Sequence, residues 1–269
     1  MQTKKITIRP SGVDAFFECP YKWYRNNLYK PIRIIGSAAH FGTGIHKTAE
    51  IYYNECIAKK EWQKPSKELK SVAVDTLREC FKKEEPNDLK ELNINQVEKN
   101  ISEISFNYVN NAKSLNNEKI PLAVEKTYEV KINSPIIDKV KGTLDIIGDN
   151  YIADIKTMGK LKSAKTYANQ QGIYAFLRKL HKESTNDLII HRLNTSKNTI
   201  DTQSIMSETF TPIDALINQS KFYLESIVKT CDAFYKTGDE MLFRGNPNSL
   251  LCSEKYCAYY NDCKWRKQI

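Results

Sequence analysis

The sequence predicts an α/β protein in which a helical N-terminal half precedes a mixed sheet flanked by helices. Three observations predict this class: helical periodicity to about residue 118, two-residue alternation in "LAVEKTYEVKI", and a return to helix near residue 163. A 3.6-residue period places one face of a helix on a core, whereas a two-residue period is typical of a half-buried strand. We expect one domain over residues 1–269, helical over about 1–118, with its core at about 119–236 and an irregular tail at 237–269.

The predicted helices of the N-terminal half end where proline, glycine or polar residues interrupt the apolar pattern. Ser11 is placed to cap a short helix that Pro20 stops, and the aromatic, basic stretch "YKWYRNNLYK" follows. A long helix is expected to open near Thr43, with further helices at about 66–83 and 92–115.

Three strands and a hairpin are predicted after residue 118. The segments are "LAVEKTYEVKI", "KVKGTLDIIGD" and "NYIADIKT", and the turn residues Gly-Asp-Asn at 148–150 join the last two. A helix is expected over 163–181, then two strands in "DLIIHRLN" and "TIDTQSIMSETF", then a last long helix over 212–236.

Composition limits the classes of partner. The 41 Lys+Arg residues outnumber the 32 Asp+Glu, and a net charge of +9 favours a polyanion such as nucleic acid. The abundance of Lys, Asn and Ile would also arise in an AT-rich genome without any nucleic-acid role. Because no run of 18 apolar residues exists, we expect no membrane span. The first residues include lysines but no apolar stretch typical of a signal peptide, so we expect a cytoplasmic protein, bacterial or from a phage in its host.

The predicted hairpin carries charged side chains in segments that should be buried. Asp154 and Lys156 project from the same face of a strand, and the turn would place Asp145 almost opposite Asp154. Two carboxylates at that distance repel unless a divalent cation lies between them, and Mg²⁺ prefers oxygen ligands. Lys156 would then position the attacking water or stabilise charge on a phosphate. Taken alone, Asp-x-Lys on a strand is more often an exposed polar face.

Further residues extend this pattern along the chain. Gln170 and Tyr174 are four apart on one face of the predicted helix, where they could hold a phosphodiester or a water. The ordered set resembles the PD-(D/E)XK nuclease superfamily and, within it, the RecB-like branch: His46 in "GTGIHKTAE", Asp145 in "GTLD", the "DIK" of Asp154 to Lys156, and Gln170 and Tyr174 in "QQGIY".

The resemblance implies a restriction-endonuclease-like core and a metal-dependent DNA nuclease. It implies an exonuclease acting on single strands or duplex ends in recombination, repair or phage DNA processing. The roles it implies are Mg²⁺ or Mn²⁺ ligation by His46, Asp145, Asp154 and the Ile155 carbonyl, catalysis by Lys156, and organisation of substrate and solvent by Gln170 and Tyr174. Glu125 is a looser candidate for a further metal-site acid, because an exposed strand position explains it more simply.

The stretch "GTGIHKT" is not a phosphate-binding loop, because His46 and Phe41 stand where such a loop needs glycine. The sequence shows no other motor motif, so a separate helicase or recombination protein is a candidate partner.

The seven cysteines divide into two groups. Cys56, Cys80 and Cys231 are isolated in predicted helices, whereas the remaining four cluster at the two ends of the chain: Cys19, Cys252, Cys257 and Cys263. Such thiols, without a secretion signal, indicate thiolate metal ligation. The arrangement resembles the iron–sulfur nucleases, which include AddB and the CRISPR-associated adaptation nucleases, and implies a structural [4Fe-4S] cluster. Zinc also fits four thiolates, and four residues separate Cys252 from Cys257 where the family usually has two.

The role of one basic, aromatic segment and two alternatives to a nuclease stay open at this point. The basic, aromatic run Lys22, Trp23, Tyr24 and Arg25 could stack bases of a single strand, or be buried against the cluster. The chain could also be a non-catalytic nucleic-acid-binding module that keeps the nuclease fold. A zinc-stapled adaptor without nucleic acid is a third possibility, but it leaves Asp145, Asp154 and Lys156 unexplained.

Overall fold

A computed structural model describes residues 5–29, 31–32, 35–209 and 211–266. The predicted class is confirmed, because helices cover both faces of a six-stranded mixed sheet. None of the helices in these ranges is long and apolar enough to span a membrane.

The N-terminal segment holds a strand that the sequence did not predict. β1 (Ile6–Ile8) precedes a 3₁₀ turn (Pro10–Gly12), α1 (Val13–Glu18) and α2 (Pro20–Asn27). The predicted capping role of Ser11 is wrong: Ser11 lies inside the 3₁₀ turn, and α1 begins after Gly12 with no side-chain cap. Cys19 is extended because a residue before proline avoids the helical region, so Pro20 ends one helix and starts the next.

Three helices form one face of the molecule: α3 (Ser37–Lys59), α4 (Leu69–Lys83) and α5 (Ile94–Leu115). The predicted start of the long helix is wrong by six residues, because α3 begins at Ser37 and not near Thr43. The Asp88 carboxylate accepts hydrogen bonds from the Ser37 backbone N–H and hydroxyl, both at 2.8 Å. This cap comes from 51 positions away in the chain, so no local pattern reveals it.

The sheet is built on its longest strand. It consists of β1, β2 (Ala123–Lys131), β3 (Ile137–Ile147), β4 (Tyr151–Met158), β5 (Asp187–Asn194) and β6 (Thr199–Ser204). Antiparallel β2 runs along one edge of β3, while parallel β1 and antiparallel β4 share the other edge. β5 is parallel to β4, and β6 is antiparallel to β5. The predicted hairpin is confirmed, with the Gly148 N–H donating to the Tyr151 carbonyl at 3.0 Å.

The opposite face of the sheet carries the remaining helices: α6 (Ala168–Leu180), α7 (Ile205–Thr209) and α8 (Ile213–Thr237). Residues 163–181 were expected to be one helix, but a 3₁₀ turn (Ala164–Tyr167) precedes α6. The segment "TIDTQSIMSETF" was expected to be a strand; it is β6 and then α7, and its Phe210 lies outside the described residues.

Alternation along β4 divides the side chains between two cores. Ile152 packs with the core beneath α1, α2, α6 and α8, whereas Ala153 and Ile155 pack with the core beneath α3, α4 and α5. The second core also contains a chain of hydrogen bonds: His191 Nδ1 to the Tyr108 hydroxyl (2.8 Å), Tyr108 to Tyr53 (3.1 Å), and Asn116 to both Tyr53 and Tyr151. Burial lowers the pKa of His191 to about 4, so this imidazole is neutral.

Candidate active site

The candidate site lies where β3 and β4 separate. Only Ile146–Ala153 and Ile147–Ile152 pair between these strands. The next position along β3 is Asp145, and its carboxylate accepts a hydrogen bond from the Ile155 backbone N–H at 2.7 Å. The Asp145 side chain therefore replaces a backbone carbonyl as the partner of β4, which opens a notch between the strands.

Asp145 and Asp154 are both buried at this notch, with residue exposures of 9% and 2%. Burial raises the pKa of Asp154 to about 6, the negative charge of Asp145 adds to the rise, and Lys156 opposes it. Burial also acts to raise the pKa of Asp145, but His46 and the Ile155 N–H outweigh it, so that pKa lies below its usual value. The two carboxylates are thus close enough to influence each other, and Asp154 takes up a proton at a higher pH than Asp145 does.

Lys156 neutralises Asp154. Its ammonium nitrogen lies 2.7 Å from Asp154 Oδ2 and 5.2 Å from the centre of the Tyr167 ring. Burial acts to lower the pKa of Lys156, but Asp154 raises it by more, so the lysine stays charged. The contact with Tyr167 was not expected from the sequence; the only local signal is the position of this tyrosine one residue before the helix that carries Gln170.

His46 reaches the notch from α3, on the face of the sheet that α3, α4 and α5 cover. Its Nε2–H donates to the Ile155 carbonyl at 3.1 Å, and Nδ1 lies 3.4 Å from Asp145 Oδ1 and 3.5 Å from Glu125 Oε1. Burial acts to lower the pKa of this imidazole, but the carboxylates outweigh it and raise the pKa well above its usual value. Two glycines allow α3 to pack closely: a Cβ on Gly42 would lie 3.3 Å from Thr157 Oγ1 on β4, and a Cβ on Gly44 would lie 2.7 Å from the Ala73 carbonyl oxygen on α4.

Glu125 belongs to this site, although the sequence favoured an exposed strand position for it. The pairs on either side, Val124–Ile146 and Lys126–Leu144, place Glu125 across from Asp145. Its φ of 48° is a left-handed conformation that a non-glycine residue adopts only at a cost of about 1–3 kcal/mol. Ligand atoms of Glu125, His46 and Asp145 all lie within 4.8 Å of one another. One nitrogen and two carboxylate donors at this spacing fit a divalent cation.

Gln170 and Tyr174 lie on α6, which covers the opposite face of the sheet from α3. The Gln170 amide donates to the Tyr174 hydroxyl at 3.0 Å, and both residues are buried. Burial raises the pKa of Tyr174, and the charge of Asp154 adds to the rise, so the phenol remains protonated. Gly142 of "GTLD" makes room for the ring: a Cβ there would lie 2.7 Å from Tyr174 Cε1. No hydrogen bond in the described part of the chain joins Gln170 or Tyr174 to Lys156.

Residues 7–264 match the sequence-family model of the PD-(D/E)XK nuclease superfamily. The chain belongs to this superfamily. This superfamily consists of nucleases, which hydrolyse nucleic acids and usually depend on a metal ion. The acidic site of this chain fits that metal dependence. No curated protein matches the sequence. A solved structure described as the crystal structure of SSO0001 is 19% identical, covers 71% of this chain and 82% of that chain, and has a TM-score of 0.36.

The four clustered cysteines of this PD-(D/E)XK chain line one cavity of about 340 Å³: Cys19, Cys252, Cys257 and Cys263. The tail is held to the N-terminal segment by hydrogen bonds from Asn246 to the Glu18 carbonyl (3.0 Å) and from Tyr259 to Asn26 (2.6 Å). Among the described residues, no three of these sulfurs lie within 4.8 Å of one another. A tetrahedral zinc site would need sulfurs about 3.8 Å apart, given Zn–S bonds of about 2.3 Å.

The run Lys22 to Arg25 forms a wall of the same region and not an open surface. Trp23 and Tyr24 are 5% and 3% exposed, and Tyr24 stacks on Phe243 at 4.8 Å between ring centres, so neither ring is free to stack on a base. Lys22 donates to the Tyr256 carbonyl at 2.8 Å, and the Arg25 guanidinium lies over the rings of three tyrosines.

Proposed function

We propose that this chain is a Mg²⁺- or Mn²⁺-dependent deoxyribonuclease that removes nucleotides from DNA ends. The observation that carries the proposal is the meeting of His46, Glu125 and Asp145 at the notch, with the Lys156 ammonium held beside Asp154 on the adjacent strand. Carboxylates that can bind a divalent ion, with a lysine ammonium held beside them, suit metal-assisted hydrolysis of a phosphodiester.

The ligands assigned to the ion are His46, Asp145, Asp154 and the Ile155 carbonyl, with Glu125 as a further carboxylate. When bound, the ion would act as a Lewis acid on the phosphate and activate a water molecule. His46 must lose its proton to bind it, because the imidazolium of the metal-free state has no lone pair to offer.

Lys156 is assigned the role of positioning the water or the scissile phosphate. Asp154 contacts one side of its ammonium and the Tyr167 ring another, and an ammonium has three N–H donors, so donors remain for a water or a phosphate oxygen. Gln170 and Tyr174 support this face: their mutual hydrogen bond leaves the second amide N–H and the carbonyl oxygen of Gln170 available to substrate or solvent.

Exonucleolytic action and a place in recombination, repair or phage DNA processing are proposed on the resemblance to the RecB-like branch. The net charge of +9 supports a nucleic-acid substrate. Free thiols gathered in one cavity support a reducing compartment, such as the cytoplasm of a bacterium or of a phage host. A helicase or a recombination protein is proposed as the protein partner on the same resemblance.

We assign the cysteine cavity to a structural [4Fe-4S] cluster. Its support is the convergence of four thiols from the two ends of the chain and their spacing, which is wider than a zinc ion needs. Anaerobically purified protein should show a broad visible absorbance and contain iron. Cys19→Ala should lose the absorbance and the iron, and its yield of folded protein should fall. Cys80→Ala, at a cysteine outside this cavity, is the matched control. Stoichiometric zinc without iron would refute the assignment.

The activity is tested with labelled linear DNA, single-stranded and duplex, incubated with Mg²⁺ or Mn²⁺. We expect cleavage by the wild-type protein, none with a chelator, and a loss of at least about 100-fold in Asp154→Asn and Lys156→Ala. Asp149→Asn changes an exposed acid in the hairpin turn and should cleave normally. Binding without cleavage in the wild type would favour the non-catalytic module, and full activity in Asp154→Asn would refute the site.

A further inference from the structure

The loop that joins β4 to α6 presents a group of lysines beside the candidate site. Lys160, Lys162 and Lys165 are all exposed, and they follow Lys156 along the chain. The loop then returns to the site, because Tyr167 at its end lies 5.2 Å from the Lys156 ammonium. The three lysines therefore belong to a segment whose two ends both contact the notch.

Hydrogen bonds fix the backbone of this loop. The Lys162 N–H donates to Met158 Sδ at 3.1 Å, and the Arg192 guanidinium donates to the Lys162 carbonyl at 3.3 Å. The Lys165 N–H donates to Glu208 Oε2 at 2.9 Å, and the Ser163 hydroxyl donates to the same carboxylate. Glu208 is on α7, so the element after β6 holds the loop in position.

The positive charge on the loop is not neutralised by the protein. The chain has no Asp or Glu between Asp154 and Glu183. Within the described residues, none of the three lysine ammoniums forms an ion pair. The nearby acids are otherwise engaged: Asp201 binds the Arg192 guanidinium at 2.6 and 2.7 Å, and Glu208 accepts from the loop itself.

The turn between β5 and β6 extends the same surface. The Thr195 N–H donates to the Met158 carbonyl at 3.0 Å, which joins this turn to the start of the loop. Lys197, two residues further along, is exposed and also forms no ion pair in the described part of the chain. Lys197 therefore adds a further unneutralised charge on a turn that is joined to the loop.

From these contacts we infer that Lys160, Lys162 and Lys165 form a clamp for the phosphate backbone of the nucleic acid that enters the notch. The inference rests on the proposed function for the identity of the polyanion. A preformed loop loses little conformational freedom on binding, and unpaired ammoniums adjacent to the site suit regularly spaced phosphates. The contacts are to the backbone, so the clamp selects nucleic acid without selecting its sequence.

The test measures binding separately from cleavage. Fluorescence anisotropy of labelled DNA is recorded with a chelator present, over a range of salt, for the wild type and the triple variant Lys160→Gln, Lys162→Gln, Lys165→Gln. Each phosphate contact contributes about 0.7–0.9 to the slope of log K against log salt, so the slope of the triple variant should be smaller by about 2 to 3. Its affinity should fall by at least about 10-fold near physiological salt.

A charge-matched control removes three other exposed lysines that form no ion pair in the described ranges: Lys64, Lys67 and Lys119. They follow the C-terminal ends of α3 and α5, and this variant should keep the wild-type slope.

Either an unchanged slope in the loop variant or no DNA binding by the wild type would overturn the inference. Cleavage by the wild type with Mn²⁺ is scored separately. If the wild type cleaves but the loop variant keeps its slope, only the clamp is refuted; if the slope falls but no cleavage occurs, only the nuclease activity is refuted.

Discussion

Asp154→Asn should make the metal-free protein more stable while abolishing its activity. Ionised Asp154 is buried beside a second carboxylate, and its pKa is raised from 3.8 to about 6. The folded state therefore binds a proton that the unfolded chain has already lost between these two pKa values. Consequently this group's contribution to stability falls as pH rises through that window and stays low above it.

The magnitude follows from the shift. Two pKa units correspond to about 3 kcal/mol, which is the largest gain expected from Asp154→Asn at about pH 8. At about pH 4 Asp154 is protonated in the folded protein, so the gain should shrink to about 0.5 kcal/mol. Asparagine keeps the shape of the side chain and a hydrogen-bonding oxygen for Lys156, which limits the secondary loss.

The assay is urea unfolding with a chelator present, at both pH values, for wild type, Asp154→Asn and the hairpin-turn control Asp149→Asn. The control should change stability equally at the two pH values. A loss of stability in Asp154→Asn at pH 8, or a gain that does not depend on pH, would refute the reasoning that this carboxylate is held at an energetic cost for a cation.

Three further results are expected. Glu125→Gln should weaken Mn²⁺ binding by about 10-fold or more, because it removes one of the carboxylates around the notch; calorimetry measures this. Gly142→Ala should lower stability by about 1–3 kcal/mol and reduce cleavage, because its Cβ would displace the Tyr174 ring. Metal binding should release protons and tighten from about pH 6 to pH 8, because His46 and Asp154 must both be deprotonated.

Each of these results has a control or a contrary outcome. Glu129→Gln alters an exposed acid on the same strand and should leave Mn²⁺ affinity unchanged. Gly12→Ala adds a Cβ whose nearest neighbour is 3.9 Å away, so it should be nearly neutral. A heat of Mn²⁺ binding that is the same in buffers of different ionisation enthalpy would show that no protons are released, which contradicts the last prediction.

Local patterns in the sequence determined most of the helices and strands and the order of the motif residues. The hairpin follows from apolar alternation and from the turn at 148–150, and α8 follows from its helical period, with both ends predicted within one residue. These features depend on neighbours a few positions apart, which is the range that hydrophobic period and turn chemistry report. The match of motif order to a superfamily likewise needs only the chain.

Tertiary structure alone decided which side chains meet. The early start of α3 depends on a cap from Asp88, and the three-residue β1 exists because β3 offers it a free edge. Glu125 joined the site through cross-strand register and an unusual backbone angle, neither of which a periodicity contains. Trp23, conversely, was a plausible base-stacking residue until packing placed it in the core. Contacts between distant segments are set by the whole fold, so residue type and spacing cannot specify them.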